Sequence, residues 1–283
     1  MSGYQPQSSD THAEIDKFLM QAFRQMPSWK KAQLVKEATK GIQQWAIAGI
    51  RYQYPSATFA EVRFQLATRW LGKETAHQFY RDSEEQIVDA DSIRLVLRIA
   101  EILEALTVDY LIGGSIASSI LGEPRATLDV DVVADLQLFH VQPLVEVVTG
   151  EFFVDERMVT QAIESKSSFN IIHLATMQKV DIFVLPNQPL AASEMQRRQQ
   201  LIITQNPERF VWLPSAEDII LQKLIWYRMS NRVSGRQWRD VLGVIKVQAN
   251  TLDFNYLTQW AEALNLTDLL AQALQAAGLS ENT

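Results

Sequence analysis

Apolar residues recur at steps of three and four over the first part of the chain: Ile15, Phe18, Leu19 and Phe23, then Leu34, Val35, Ala38, Ile42, Trp45, Ala46 and Ile50. That spacing predicts two helices, with Pro27-Ser28 between them. Pro55 ends the second near Tyr54, and Thr58 with Glu61 forms the capping-box pattern of a third helix that runs to about Gly72. The stripe Trp45, Ile50, Phe59, Phe64 and Leu71 is expected to be the core of an all-helical segment over residues 13–82. Residues 1–12 are polar and are expected to form a flexible end. Arg81 to Asp91, dense in Asp, Glu and Ser, reads as a linker or exposed turn.

Beyond it, Ile93 to Leu106 is an amphipathic helix, and the short apolar strand Tyr110 to Ile112 runs into Gly113-Gly114-Ser115. β-Branched, alternating stretches then predict strands at Leu128 to Val133, Phe152 to Met158, Phe169 to Leu174 and Lys179 to Leu185, with helices near Ser115 to Leu121 and Gln142 to Thr149. From Ser215 the pattern is helical again: Ser215 to Met229, Gly235 to Gln248, Asp253 to Ala263 and Thr267 to Ala277. The expected fold class is α+β: a small mixed sheet with helices over residues 91–205, flanked by an N-terminal helical domain (1–90) and a C-terminal helical region (206–283).

A chain of 283 residues with 47% hydrophobic and 21% charged side chains can bury a real core, which excludes disordered and fibrous classes. The absence of cysteine excludes disulfides, thiolate zinc sites and thiol nucleophiles. Arg98, Glu101 and Lys223 interrupt the longest apolar runs, so no membrane partner is expected, and the polar start without a basic-then-apolar leader points to the cytoplasm. The net charge of -7 argues against bulk coating of nucleic acid. The acidity is concentrated: residues 91–205 hold 15 acidic against 8 basic side chains. Acids around a polyanion site call for metal ions.

Asp129 and Asp131 lie two apart, so in a strand both carboxylates point to one face while Val130 and Val132 point to the other. Such a pair is protonated, solvated or bridged by a cation, and the cation suited to these oxygens is Mg²⁺ or Mn²⁺. Asp181 is the lone acid in a second apolar strand. Side by side, the three carboxylates could hold two metals about 3.5 to 4 Å apart; the alternative is acids on an edge or loop, facing water. Gly113-Gly114-Ser115 suits either a phosphate at a helix N-terminus or a tight turn with Ser115 as N-cap. Lys223 falls two turns into a helix capped by Ser215 with Asp218, and Arg228, Arg232, Arg236 and Arg239 follow as a local basic patch. Its Lys and Arg can hold phosphates, or Arg239 and Asp240 form ordinary surface pairs on a solvated helix. Trp226 and Trp238 are expected in the core. The four histidines, His12, His77, His140 and His173, show no metal-ligand spacing.

The succession of strand, Gly113-Gly114-Ser115, helix, Asp129-Val-Asp131 and a later strand with Asp181 resembles the nucleotidyltransferase superfamily related to DNA polymerase beta. Arg125 and Thr127 look like the Arg-x-Thr-x-Asp lead-in of bacterial members. Lys223 to Arg228 with Arg236-Gln-Trp-Arg239-Asp240 looks like the Lys, Arg and Arg-Asp motif of the AbiEii-type toxins, some of which, the MenT group, add nucleotides to tRNA 3′ ends; a further Asp usual in that motif is replaced here by Val241 to Ile245. The resemblance implies a Mg²⁺- or Mn²⁺-dependent enzyme that moves NMP from an NTP to a hydroxyl of tRNA or protein, in a toxin-antitoxin setting. Asp129, Asp131 and Asp181 would serve metals and acceptor. Gly113, Gly114, Ser115, Arg125, Lys223, Arg228, Arg236, Arg239 and Asp240 would serve the nucleotide. Other readings are an antitoxin-like protein adenylylator and an interaction module with a vestigial site, and residues 1–90 are a candidate neutralising module in cis.

Overall fold

The computed structural model describes residues 4–80 and 90–279, so most of the expected linker from Arg81 lies outside the described residues. In chain order the elements are α1 (Ala13–Gln25), α2 (Ser28–Gln53), α3 (Phe59–Leu71), α4 (Lys73–Phe79), α5 (Ser92–Ala105), β1 (Tyr110–Ile112), α6 (Gly114–Leu121) and β2 (Val130–Ala134). They continue with α7 (Val141–Val148), β3 (Phe152–Phe153), α8 (Glu156–Ser165), β4 (Ser168–His173), β5 (Gln178–Val184), α9 (Pro189–Arg197), β6 (Gln199–Gln205) and β7 (Glu208–Leu213). Four helices close the chain: α10 (Ala216–Met229), α11 (Gly235–Gln248), α12 (Phe254–Ala263) and α13 (Thr267–Ala276). The fold is α+β: a five-stranded mixed sheet in the order β1-β2-β5-β4-β3, a separate β6-β7 hairpin, and helices. Among the described residues no helix is long and apolar enough to cross a membrane.

Several boundaries follow from local chemistry. Thr58 Oγ1 accepts from the Glu61 amide while Glu61 accepts from the Thr58 amide at 2.7 Å, so the expected capping box starts α3. Gly72, at φ 86°, ends it. The strand expected to run on to Met158 stops at Phe153, because Asp155 caps the amides of Arg157 and Met158 and starts α8 instead.

By packing, the chain forms two units that do not follow the divisions expected at residues 90 and 205: residues 33–110 with 125–186, and residues 1–32 with 111–124 and 187–283. Burial joins segments that are remote in sequence. The first unit carries the sheet from β2 to β3, where the inward faces of β2 (Val130, Val132, Ala134) and β5 (Val180, Ile182, Val184) are buried. Its helical part closes on Ile50, Val62, Leu66, Ala67, Ala76, Tyr80 and Met177.

Helix α2 buries a different stripe from the one expected. Val35, Thr39, Gln43 and Ile50 are buried, while Trp45 is 82% exposed, and Phe59, also expected in the core, is 66% exposed. The stripe tolerates two polar residues because both are used. Thr39 Oγ1 donates to the Thr127 carbonyl at 3.1 Å, and Gln43 accepts from the Ala90 amide at 2.6 Å.

In the second unit, α6 packs on α10 and α11. The apolar residues whose spacing predicts α1 face outward, with Phe18 70% exposed, and the helix buries Asp16 and Met20. Asp16 pairs with Lys246 at 2.9 Å, and residues 4–7, expected to be flexible, dock around that pair. The Tyr4 hydroxyl donates to Asp16, Lys246 donates to the Gln5 carbonyl at 2.5 Å, and the Gln5 amide donates to Ala276 at 2.7 Å. A buried ion pair needs its remaining hydrogen-bond capacity filled, and the N-terminal segment fills it.

Candidate functional site

Strands β2 and β5 run parallel with Asp131 level with Asp181. Both side chains lie on the face opposite the buried valines, as the period of two requires. Asp129 precedes β2 and is exposed. Continuing the register one residue back sets Lys179 level with Asp129. Asp131 on β2 and Lys179 and Asp181 on β5 thus share one sheet face, and Asp129, just before β2, completes the array.

Lys179 Nζ lies 2.8 Å from Asp181 Oδ2. Partial burial pulls its pKa down, but the hydrogen bond it donates to Asp181 and the charges of Asp181, Asp129 and Asp131 outweigh that and leave it raised. The ammonium is therefore held as a cation by all three carboxylates. Among the described residues no three His, Asp or Glu side chains converge as a ready-made metal site. The expected carboxylates share a face and suit a divalent ion in kind, and the cation drawn among them here is Lys179.

The backbone leading to Asp129 is pinned from beneath. The Thr127 carbonyl accepts from Ser92 Oγ at 2.6 Å as well as from Thr39, and the Thr127 amide donates to Thr39 Oγ1 at 3.2 Å. Thr127 Oγ1 donates to the Asp129 carbonyl at 3.1 Å, and Gln178 links Ser92 to the Leu128 carbonyl. Thr39, Ser92 and Gln178 are all buried. These positioning residues escaped the sequence reading; their signal is a polar residue at a periodic core position, Thr39 four after Val35 and Gln43 four after Thr39. Arg125 bonds the Ala126 carbonyl at 3.2 Å, beside this lead-in.

In the second unit, Gly113 precedes α6 and Gly114 adopts φ 54°, a left-handed conformation suited to glycine. Ser115 is not the cap: it lies inside the first turn, and no side chain caps the helix. Lys223 is buried and bonds Asp240 at 2.8 Å, so Asp240 is an interior partner, not a surface one. The arginines expected as a phosphate patch are largely taken up by the fold. Arg228 donates to the Leu264 carbonyl at 2.6 Å, Arg232 meets Asp268 at 2.8 Å, and Arg239 grips Glu123 with two bonds of 2.8 and 3.1 Å. Arg236 is exposed, and Trp226, expected in the core, is 46% exposed.

The sequence matches no protein-family model and no curated protein. Among solved structures it is similar to an antigenic nucleotidyltransferase-like protein from Paracoccidioides brasiliensis, with 23% identity over 65% of this chain and 91% of that chain and a TM-score of 0.37.

Proposed function

We propose that the chain is a nucleotidyltransferase that moves a nucleoside monophosphate from an NTP to an acceptor hydroxyl. The observation that carries the reading is the alignment of Asp131 with Asp181 on the outward face of two parallel strands, with Asp129 two residues before Asp131. Acids at these positions interrupt the apolar runs of two strands, and the pair is of a kind that suits a divalent ion.

Asp129, Asp131 and Asp181 would hold Mg²⁺ or Mn²⁺, which when bound neutralises charge on the phosphate oxygens. The acceptor oxygen attacks the α-phosphorus, the bond to the β-phosphate breaks, and pyrophosphate leaves with the electron pair; Asp181 receives the acceptor's proton. Thr39, Ser92 and Gln178 hold the Thr127 to Asp129 backbone in place, so positioning is the chain's main contribution. The acceptor proposed is tRNA, in a toxin-antitoxin setting.

The test is transfer from each α-labelled NTP with Mg²⁺ to total tRNA, to lysate protein and to the enzyme alone. Label on tRNA that disappears in both Asp131→Asn and Asp181→Asn supports the proposal. Label on protein moves the acceptor to a protein hydroxyl, and transfer that survives both substitutions overturns the catalytic assignment.

A further inference from the structure

A cleft of about 940 Å³ lies wholly within the first unit, lined by α2, α5 and the turn that joins β4 to β5. Two pairs of like charge face it, each pair one helical turn apart: Lys36 and Lys40 on α2, Arg94 and Arg98 on α5. The acids of the cleft are fewer and are engaged. Asp91 pairs with Lys36 at 2.6 Å, and Arg98 meets Glu151 at 2.7 Å and Glu101 at 3.8 Å. Arg94 is exposed, and its guanidinium has no acid partner among the described residues. Burial lowers the pKa of His173 in the wall, the Glu151 charge raises it and the Arg94 charge lowers it, so a neutral imidazole stands within reach of both charges.

The floor is different in kind. Ala90 and Leu95 are buried, and Gln178 is occupied with the Asp91 amide, Ser92 and the Leu128 carbonyl. Gln178 stands three residues before Asp181 on β5 and so points to the other side of the sheet. None of Asp129, Asp131, Lys179 and Asp181 lines the cleft.

We propose that this cleft binds a phosphorylated small molecule of about nucleotide size, its phosphate held by Arg94, Arg98, Lys36 and Lys40 and its remainder lying on the floor of Ala90 and Leu95. Guanidinium forks take phosphate oxygens two at a time, and the lysines add point charge. An anion here relieves the repulsion within each like-charged pair. Lys36 and Arg98 keep their acids while they bind it, since an ammonium has three donors and a guanidinium five. The volume lies at the large end of the range for small-molecule pockets and exceeds what a bare phosphate fills. The site is separate from the acid-bearing face and does not depend on what that face does.

The experiment is an NMR titration of the full chain in EDTA, read at the His173 ring signal, which is assigned by its loss in His173→Gln. The probes are AMP, adenosine and a 5′-phosphorylated RNA oligomer. AMP is expected to shift the signal saturably with a Kd on the order of 0.1 mM, and adenosine to leave it in place. Arg94→Gln should weaken AMP about tenfold, the loss of a charge-assisted hydrogen bond. Should that variant lose the native spectrum, Arg94→Lys takes its place, since it keeps the charge and loses the fork. A His173 signal unmoved by millimolar AMP, equal binding of adenosine and AMP, or equal affinity in the Arg94 variant and the unaltered chain overturns the proposal. Tighter binding of the RNA oligomer than of AMP, read at the same signal, overturns the small-molecule assignment.

Discussion

Lys223 on α10 and Asp240 on α11 meet inside the helical unit, nitrogen to oxygen 2.8 Å, with side chains only 6% and 4% exposed. Removing one partner leaves an uncompensated buried charge. Lys223→Met is therefore expected to lower unfolding stability by about 3 to 5 kcal/mol, read from urea denaturation, and Lys223→Met with Asp240→Leu should recover much of the loss. A stability unchanged in the single variant would show that the pair is not formed in solution. Any loss of transfer activity in a Lys223 variant has to be read against this first.

The C-terminal end of α6 touches backbone. A Cβ on Gly122 would lie 2.8 Å from the Ser118 oxygen and the Val244 nitrogen and 2.9 Å from the Gly243 carbonyl carbon. Gly122→Ala should cost about 1 to 3 kcal/mol, because backbone cannot move aside as a side chain can. Gly41, inside α2, has nothing within 4 Å of its would-be Cβ, and Gly41→Ala should stabilise by about 0.5 to 1 kcal/mol. Equal effects in the two urea midpoints would contradict the difference in packing.

Burial pushes the Glu194 carboxyl up to about 8, against a lowering hydrogen bond from Gln222, while the charge of Asp218 raises it further. The folded chain thus keeps a proton that the unfolded chain releases near the ordinary value of 4.5. The stability this proton gives is fully present below that value and is lost as the pH rises toward about 8. Burial raises the Asp218 carboxyl as well, in the same direction. Glu194→Gln should flatten the decline, matching the unaltered chain near pH 4.5 and exceeding it at pH 8. Parallel stability curves across that range would rule the assignment out.

Tyr4 ties the N-terminus to the Asp16-Lys246 pair by its hydroxyl, and the Lys246 nitrogen lies 4.3 Å from the centre of its ring. Tyr4→Phe keeps the ring and loses the bond to a charged group, an expected cost of about 1.5 to 3 kcal/mol. Hydrogen exchange should show the Gln5 and Gln7 amides opening sooner in the variant. Unchanged protection at both amides would mean the segment is held by other contacts.

The strands that carry the acids were legible because an acid amid β-branched residues has one parity and therefore one face. Helix α2 was misread at Trp45 because periodicity counts apolar residues, whereas burial there follows Thr39 and Gln43, whose partners are tertiary and lie up to 88 residues away. The hairpin β6-β7 gave little signal, since Gln199, Gln200, Gln205 and Glu208 are exposed and its strands alternate poorly. The docking of residues 4–7 could not be read at all: Asp16 and Lys246 are 230 positions apart. Lys179 stands at the same parity as Asp181, so its face is legible in the sequence, while its contact with Asp181 is a matter of side-chain conformation that periodicity does not give.

The bonds from Thr39 and Ser92 to Thr127, and from Gln43 to Ala90, have a consequence for how the chain can be cut. A fragment starting at residue 91 would keep every acid of the array and lose Thr39 from the backbone two residues before Asp129. Its failure to act would then be indistinguishable from the loss of a partner domain. The N-terminal helices are to that extent the bench on which the acids are mounted, and a neutralising role for them is to be sought by point changes on their outer face, at Trp45 or Phe59, with the mounting left whole.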